Sequence, residues 1–386
     1  MSSEEPPLQF STVSGTSPFL VDGVYNNDER NGGTNAQARI SIDTLAEFQV
    51  LTHQYTAEFG GSSGVVVNSV TRSGQNRVFG RGFYYLQDDK LTATDPFLRA
   101  RGESNPDSGQ QSYGFNAGGP FVKNKAFWFF NLERNVIDEA VELDFPAEAV
   151  SIAQDINDTQ KIRSLNTFLR GDYTLSGSQS LSARWTREAT PSIGEDWETN
   201  RSTRDNIFIE RDAGDQNFNG NWTAIIGSRA TNEAKFTHVR ESVLQGNTQY
   251  FDNLDDLNFI ELNGREQFDV GSQNSHPDYA AGPRAVHGTA KGRTYVISDD
   301  FTFVKNGWAG NHTFKAGGNH SWVLVKPQIA GGNDNGTFTF LGNRPFNPAD
   351  SFSYPHASPS GSGRSTSTSP IGAPPATSRT SGRPDA

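Results

Sequence analysis

Thr167-Phe168-Leu169-Arg170-Gly171-Asp172-Tyr173-Thr174-Leu175-Ser176-Gly177-Ser178-Gln179-Ser180-Leu181-Ser182-Ala183-Arg184-Trp185-Thr186 reads as two strands and a turn. Leu169, Tyr173 and Leu175 fall on one face of the first strand, opposite Arg170, Asp172 and Thr174. In the second, Leu181, Ala183 and Trp185 oppose Ser182, Arg184 and Thr186. A side-chain period of two is the repeat of a strand. Ser176-Gly177-Ser178-Gln179 is a tight hairpin connection. Such a hairpin is apolar on one side and polar on the other, as the wall of a membrane barrel must be.

The same pattern spreads in both directions. In Arg77 to Leu86, Val78, Gly80, Gly82 and Tyr84 share one face, and Phe79, Arg81, Phe83 and Tyr85 share the other. Ala126, Trp128, Phe130 and Leu132 share a face of the next strand. From Asn217 to Ile226, Phe218, Trp222, Ala224 and Ile226 oppose four Asn and Thr residues. Arg293 to Val304 and Thr313 to Val325 continue the series. Short turns, such as Gly227-Ser228-Arg229, alternate with long polar excursions over Glu188 to Asp215 and Glu241 to Gly292. Outer-membrane barrels have short periplasmic turns and long outer loops. Tyr and Trp near strand ends fit interfacial girdles. A secreted or surface β-rich adhesive or structural protein would show a similar alternation.

Composition agrees with strands and polar loops. Of 386 residues 33% are hydrophobic, with 39 glycines, 27 phenylalanines and no cysteine. No disulfide or thiolate metal site is therefore available. The formal net charge of −11 argues against a nucleic-acid partner, which needs a basic footprint. No apolar run approaches the roughly 18 residues of a membrane-spanning helix.

Chemistry-bearing motifs are lacking. The seven histidines are scattered, and only His312 and His320, read as flanking a turn, are placed to meet across a hairpin. Asp252, Asp255 and Asp256, and Asn333 to Gly336, read as solvated turns rather than calcium loops. Gly80-Arg81-Gly82 lies inside a strand, where no helix N-terminus can cradle a phosphate. No nucleophile–base pair is visible. The chain reads as no enzyme, with no catalytic residue, no metal ligand, no cofactor and an unknown ligand.

Before Arg77 the pattern differs. Ile40, Ile42, Leu45, Phe48 and Val50 are spaced for a short helix leading into a strand, and Val65 to Val70 is β-branched. Phe19-Leu20-Val21-Asp22-Gly23-Val24, followed by Asn26-Asn27-Asp28, resembles a plug segment with a D-G-x-x-N-x-D core. Glu47-Phe48-Gln49-Val50 resembles the E-F-x-V run that follows it. Tyr55 to Gly60 with Glu58, then Gly64 to Asn68, then Thr71-Arg72-Ser73-Gly74-Gln75-Asn76, resemble the plug's last strand and its exit. Phe79-Gly80 and Phe83 to Tyr85 match a first barrel strand. Tyr113-Gly114-Phe115-Asn116-Ala117-Gly118-Gly119-Pro120-Phe121-Val122-Lys123-Asn124-Lys125 resembles an F-G-x-x-x-G-G-P-x-x-K-x-K hairpin. In this order and spacing, the motifs resemble those of the Oar-like TonB-dependent receptors, an acidobacterial type of outer-membrane receptor.

The resemblance implies an all-β fold: a partial transmembrane antiparallel β-barrel preceded by the C-terminal part of a plug domain. Complete plugged transporters have about 22 strands. The expected division is plug over residues 1–76, about ten to twelve barrel strands over 77–355, and a low-complexity tail over 356–386. The implied partners are outer-membrane lipid, the TonB energy-transducing complex and an unidentified ligand. The implied structural positions in the plug are Asp22, Gly23, Asn27, Asp28, Glu47, Phe48, Glu58, Gly60, Gly64, Asn68, Ser73, Gly74 and Asn76. In the barrel they are Gly80, Gly114, Gly118, Gly119, Pro120, Lys123 and Lys125. Arg81, Arg170 and Arg184, on polar strand faces, are expected to face the plug.

Two departures from the family are expected to matter. The start carries no signal-peptide pattern and no TonB-box-like segment, so Met1 reads as a late start. From Ala357 the chain is Ser, Pro, Thr, Gly, Arg and Ala, with Ile371 the only large apolar residue. This is either a low-complexity linker or, the favoured reading, a shifted frame. Displaced by two bases, its codons permit aromatic strand-like runs. A half-wall of this kind is expected neither to close nor to transport alone, since open edges in lipid cost several kcal/mol per unpaired group.

Overall fold

The computed structural model describes residues 19–26, 40–52, 65–102, 104–105, 107–140, 146–149, 159–195, 208–212, 215–247, 251–252, 261–262, 273–281, 287–307, 310–330, 337–344, 347 and 349–356. Asn27, Asp28, Glu58, Gly60, Gly64 and the tail from Ala357 lie outside them.

The first described strands form a four-stranded sheet. β1 (Phe19–Val21) and β2 (Val24–Tyr25) make a hairpin, followed by β3 (Leu45–Leu51) and β4 (Val66–Thr71), in the order β2-β1-β4-β3. β1 runs parallel to β4, and β3 antiparallel to it. Val21, Val24, Val66 and Val67 are buried, and since Val66 and Val67 are successive residues of β4, the sheet buries β-branched side chains on both faces. A 3-10 turn over Ile42–Thr44 leads directly into β3, as the apolar spacing predicts.

The remaining strands build one large antiparallel sheet. It contains β5 (Phe79–Asp88), β6 (Gly109–Val122), β7 (Ala126–Ala140), β8 (Thr159–Ser176), β9 (Gln179–Ala189), β10 (Ser192–Glu195), β11 (Phe208–Asp212), β12 (Asp215–Ile226) and β13 (Ala230–Asn247). Short pieces follow: β14 (Phe251–Asp252), β15 (Glu261–Leu262), β16 (Gln273–Ser275) and β17 (Ala280–Ala281). The sheet resumes with β18 (His287–Asn306) and β19 (Asn311–Ala330), and β20 (Thr337–Thr339) comes last.

The wall's eleven strands fill nine successive positions: β5, β6, β7, β8, β9 with β10, β11 with β12, β13, β18 and β19. Pro191, which has no N–H to give, separates β9 from β10. β10 nevertheless continues the pairing with β8, and β11 continues the pairing with β13. Among the described residues β5 pairs only with β6, and β19 only with β18, so the wall does not close on itself.

Every short connection lies at one rim: 123–125, 177–178, 227–229 and 307–310. The long connections lie at the other. A six-residue helix, α1 (Pro96–Arg101), sits in the first of them, capped by the Asp95 side chain on Phe97 N at 2.7 Å.

Two expectations change. The runs Glu188 to Asp215 and Glu241 to Gly292 are not wholly loop: β10 and β11 occupy part of the first, and β13 and β18 extend into the second. Alternation marks only the part of a strand that faces lipid. Beyond it the alternation fades, yet the backbone ladder continues. His312 and His320 do not flank a turn. Both lie on β19, opposite Lys305 and Ile297, with His320 edge-on to Trp322 at 4.3 Å.

Cross-strand register assigns the two faces. Phe130, Leu169, Trp185, Phe218, His238 and Tyr295 form one row on the outer side. Leu169 and Phe218 are 47% and 40% exposed, although each is a large apolar side chain in mid-strand. Asn131, Phe168, Thr186, Asn217 and Val239 form the matching inner row, all buried. Large apolar groups exposed outside and polar groups buried inside are the reverse of a soluble sandwich and the pattern of a wall in lipid.

Leu169 lies mid-way along the outward set Leu165 to Leu175. Leu169→Arg is expected to cost about 2–4 kcal/mol of the membrane-inserted protein's stability. The inward, exposed Thr174→Arg should stay within about 0.5 kcal/mol. Urea unfolding in lipid vesicles compares the two, and equal effects would exclude this facing.

Candidate functional site

The first hairpin turns on Asp22-Gly23, with φ of 53° and 72°. Positive φ at both central residues is the type I′ arrangement that suits the twist of a two-residue hairpin, and Asp-Gly is its signature. The turn is fixed from below by Asp22 N donating to Ser69 O at 2.8 Å and Gly23 N donating to Asn68 Oδ1 at 3.1 Å. It therefore holds the Asp22 carboxylate at a defined place on the sheet's edge.

That carboxylate is the meeting point of sheet and wall. Thr71, at the end of β4, donates from N and Oγ1, both at 2.8 Å. Arg184 of β9 donates from Nη1 at 3.0 Å, and Arg170 of β8 stands at 3.5 Å. The Arg184 side chain is 4% exposed. Arg170 also donates to Thr71 Oγ1 at 2.7 Å and grips Asp172 at 2.9–3.1 Å. Ser73 Oγ donates to the same Asp172 at 2.6 Å. Arg170 and Arg184 are direct cross-strand partners. Two adjacent like charges on an inner wall repel unless carboxylates lie between them, and Asp22 and Asp172 supply these. Lys235 adds a third cation beside the turn: a Cβ on Gly23 would meet its Nζ at 3.4 Å.

Further polar links run along the interface. Arg81 of β5 pairs with Asp43 at 3.1 Å. Ser41 Oγ donates to Glu133 of β7. Asn217 of β12 donates to Asn26 Oδ1 at 3.0 Å. The three expected arginines thus all face the plug.

The exit from sheet to wall is equally determined. A Cβ on Gly74 would fall 2.4 Å from Trp128 O and 2.7 Å from Gly119 O, so the chain lies directly on the wall's backbone there. Asn76 and Asn124 join across 48 residues, with Asn124 N donating to Asn76 Oδ1 at 2.7 Å. Asn124 is the left-handed residue of the Lys123-Asn124-Lys125 turn, φ 59°. Lys125 Nζ lies 5.6 Å from the centre of the Tyr173 ring. Gly114 and Gly118 are on the inner face of β6, Gly80 and Gly119 on the outer. Pro120 sits at a register shift against β7.

Asp22, Gly23, Asn68, Ser73, Gly74 and Asn76 are therefore brought to the interface. Glu47 and Phe48 are not: Glu47 accepts from Gln49 at 2.6 Å, and Phe48 is exposed on β3. Sequence reading missed Asp43, Thr71, Asp172 and Asn217. Asp172 carried a legible signal, being two residues from Arg170 on the same polar face. Thr71 and Asp43 carried none, because their partners are more than 30 residues away.

Removing one member of a buried ion pair typically costs about 3–5 kcal/mol, because the other charge stays buried. Asp22→Asn is expected to lose about that much from the docking of sheet to wall. Limited proteolysis should show the N-terminal sheet released while the wall stays protected. Gly74→Ala should destabilise by about 1–3 kcal/mol through overpacking. Wild-type protease resistance in both variants would remove this interface from its central place.

Comparison with known proteins gives this geometry its context. The family model described as an outer membrane beta barrel domain matches residues 70–148 and 144–384. The TonB-dependent transporter Oar of Myxococcus xanthus is 36% identical over 122 residues, which is 30% of this chain and 11% of that protein. Among solved structures, the outer membrane transporter YddB of Escherichia coli superposes with a TM-score of 0.55 at 10% identity, covering 86% of this chain and 43% of that one. The siderophore receptor PirA of Acinetobacter baumannii gives 0.53 at 12% identity, covering 81% and 41%. The chain thus spans under half the length of these proteins. With a plug-like sheet held by ion pairs against an antiparallel wall that is apolar outside, this chain belongs to the outer membrane β-barrel family and has the fold of an outer-membrane transporter.

Proposed function

We propose that this protein is plug and wall of a TonB-dependent outer-membrane transporter, in which a ligand enters through the barrel after the plug is displaced. Residues 1–76 form the plug portion and 77–355 the wall. The observation that carries this reading is the Asp22 clamp. An N-terminal sheet lies against the inner face of a lipid-facing wall and is joined to β8 and β9 there by ion pairs, beside the buried Phe129 and Phe168. Ion pairs of this kind can be exchanged for water as the sheet moves, which suits a plug that moves under applied force. The likeness to a TonB-dependent transporter supports the energy source.

The clamp and the exit divide the work. Ser73, Gly74 and Asn76 hold the covalent junction close to the short-turn rim. Asp22 holds the folded sheet against β8 and β9. A pull on the plug that opens a path must therefore break the Asp22 contacts, while the junction at 73–76 serves as the anchor.

In cells, the protein is expected in the outer-membrane fraction. Within a complete transporter that carries this segment, Asp22→Asn and Arg184→Gln should admit a large hydrophilic antibiotic that the unsubstituted transporter excludes. A soluble-fraction protein would contradict the barrel. Membrane-located variants with wild-type exclusion would contradict the plug.

A further inference from the structure

Away from the plug, at the rim of the long connections, two stretches of chain are tied together. β16 lies in the connection between β13 and β18, and β20 follows β19. They pair in parallel, Gln273↔Thr337 through Ser275↔Thr339, while β17 pairs with β16 on its other side. Directly after β16, the His276 ring lies flat between two aromatic rings. Tyr279 is 4.1 Å away at 9° and Phe340 is 4.2 Å away at 8°. His276 is 8% exposed, and Nδ1–H donates to Gly342 O at 3.0 Å. Its backbone N–H donates to Tyr279 O at 2.9 Å. One imidazole thus touches both connections through its two faces and its edge.

We propose that His276 is a pH-sensitive clasp that joins these two outer connections when its ring is neutral and releases them when the ring is protonated. Three parallel rings in contact are held by stacking and by exclusion of water. An imidazolium in the same slot must shed its hydration. The two ring faces compensate in part, as cations over aromatic faces do. Burial nonetheless dominates and holds the His276 pKa below its ordinary 6.5, while the Gly342 carbonyl acts in the opposite direction. Tyr279 is pushed up to about 12 by burial, so it stays neutral throughout.

The charged groups that neighbour the slot have partners of their own. Asp278 is tied to Asn343, which donates to its carboxylate and accepts from its N–H at 3.1 Å. Arg344 stands 3.8 Å from Asp350. His356 is exposed and meets β20 through its backbone, donating to Thr339 O at 2.7 Å. A lowered pKa in the closed form means that closure is fully favoured above the ordinary value. Its stability is then lost as pH falls below that value towards the pKa of the closed form.

Hydrogen exchange on the full chain in lipid tests this, with protection expressed relative to unstructured peptides at each pH. Between about pH 7.5 and about pH 5, protection over 273–281 and 337–342 should fall by clearly more than about twofold, because closure then loses the stabilisation that the neutral ring supplies. His276→Phe keeps the stack without the titration and should hold protection within about twofold. His276→Gln, which cannot stack equally, should be unprotected at both pH values. The ring itself, followed by NMR, should titrate below 6.5. Wild-type protection independent of pH, the same pH dependence in His276→Phe, or titration at or above 6.5 would each overturn the clasp.

Discussion

The wall places Arg170 and Arg184 side by side on its inner face, and one of them is almost wholly out of water. Two buried positive charges in adjacent strands are tolerable only with negative charge between them. Asp172 satisfies part of this need from within β8, and Asp22 must be brought in from the plug. Much else follows from that requirement. A two-residue turn with both residues left-handed presents the carboxylate. The parallel pairing of β1 with β4 puts Thr71 beside it. The exit strand then leaves β4 at a point where Ser73 reaches the same Asp172. Electrostatic need in the wall and turn chemistry in the plug specify one another.

The rest of the inner face is mixed: Phe129, Phe168 and Val239 are buried beside polar groups that are incompletely satisfied. Asn131 is fully buried, and neither atom of its amide finds a protein partner among the described residues. Asn116, its cross-strand partner, has an amide nitrogen in the same condition. Buried polar groups usually find partners because leaving them unmet costs free energy. An interface carrying such groups is weaker than one of equal area made from apolar side chains. Its specificity comes from the few ion pairs, so docking is exact in position and moderate in strength. On the other side of the same strands, lipid provides the strong and undirected stabilisation of Leu169, Phe130 and Phe218.

Legibility in the sequence follows the range of each interaction. The turn and the facing of the β8–β9 hairpin were readable, because period two and a short turn are local signals, but β8 begins at Thr159, eight residues before the stretch that was read. Asp22-Gly23 was legible as part of a family-like run and not as a hairpin turn. Arg81 shares its face with Phe79, Phe83 and Tyr85 and was placed by the resemblance, whereas the inward facing of Arg170 and Arg184 followed from alternation once a plug was expected. Their partners did not, since Asp43 and Asp22 lie in another sheet and nothing local distinguishes a docking aspartate from a solvated one. Glu47 and Phe48 show the converse. They belong to a recognisable run, yet both lie exposed on β3. Strand ends were misread wherever alternation stopped but hydrogen bonding continued, as at β10, β11 and the upper part of β13.

The glycines and asparagines at the junction show why motif and geometry coincide there. At Gly74 the chain passes so near the Trp128 and Gly119 carbonyls that no side chain fits. Two residues later, Asn76 uses an amide to hold the left-handed Asn124 of the β6–β7 turn. The first contact is steric and acts on backbone; the second is polar and grips both the backbone N–H and the side-chain amide of Asn124. Because backbone positions in a sheet are fixed by its ladder, a junction built this way inherits the rigidity of the wall. The plug sheet, held instead through long arginine side chains, does not. Rigidity at the exit and compliance at Asp22 are thus consequences of what each residue grips.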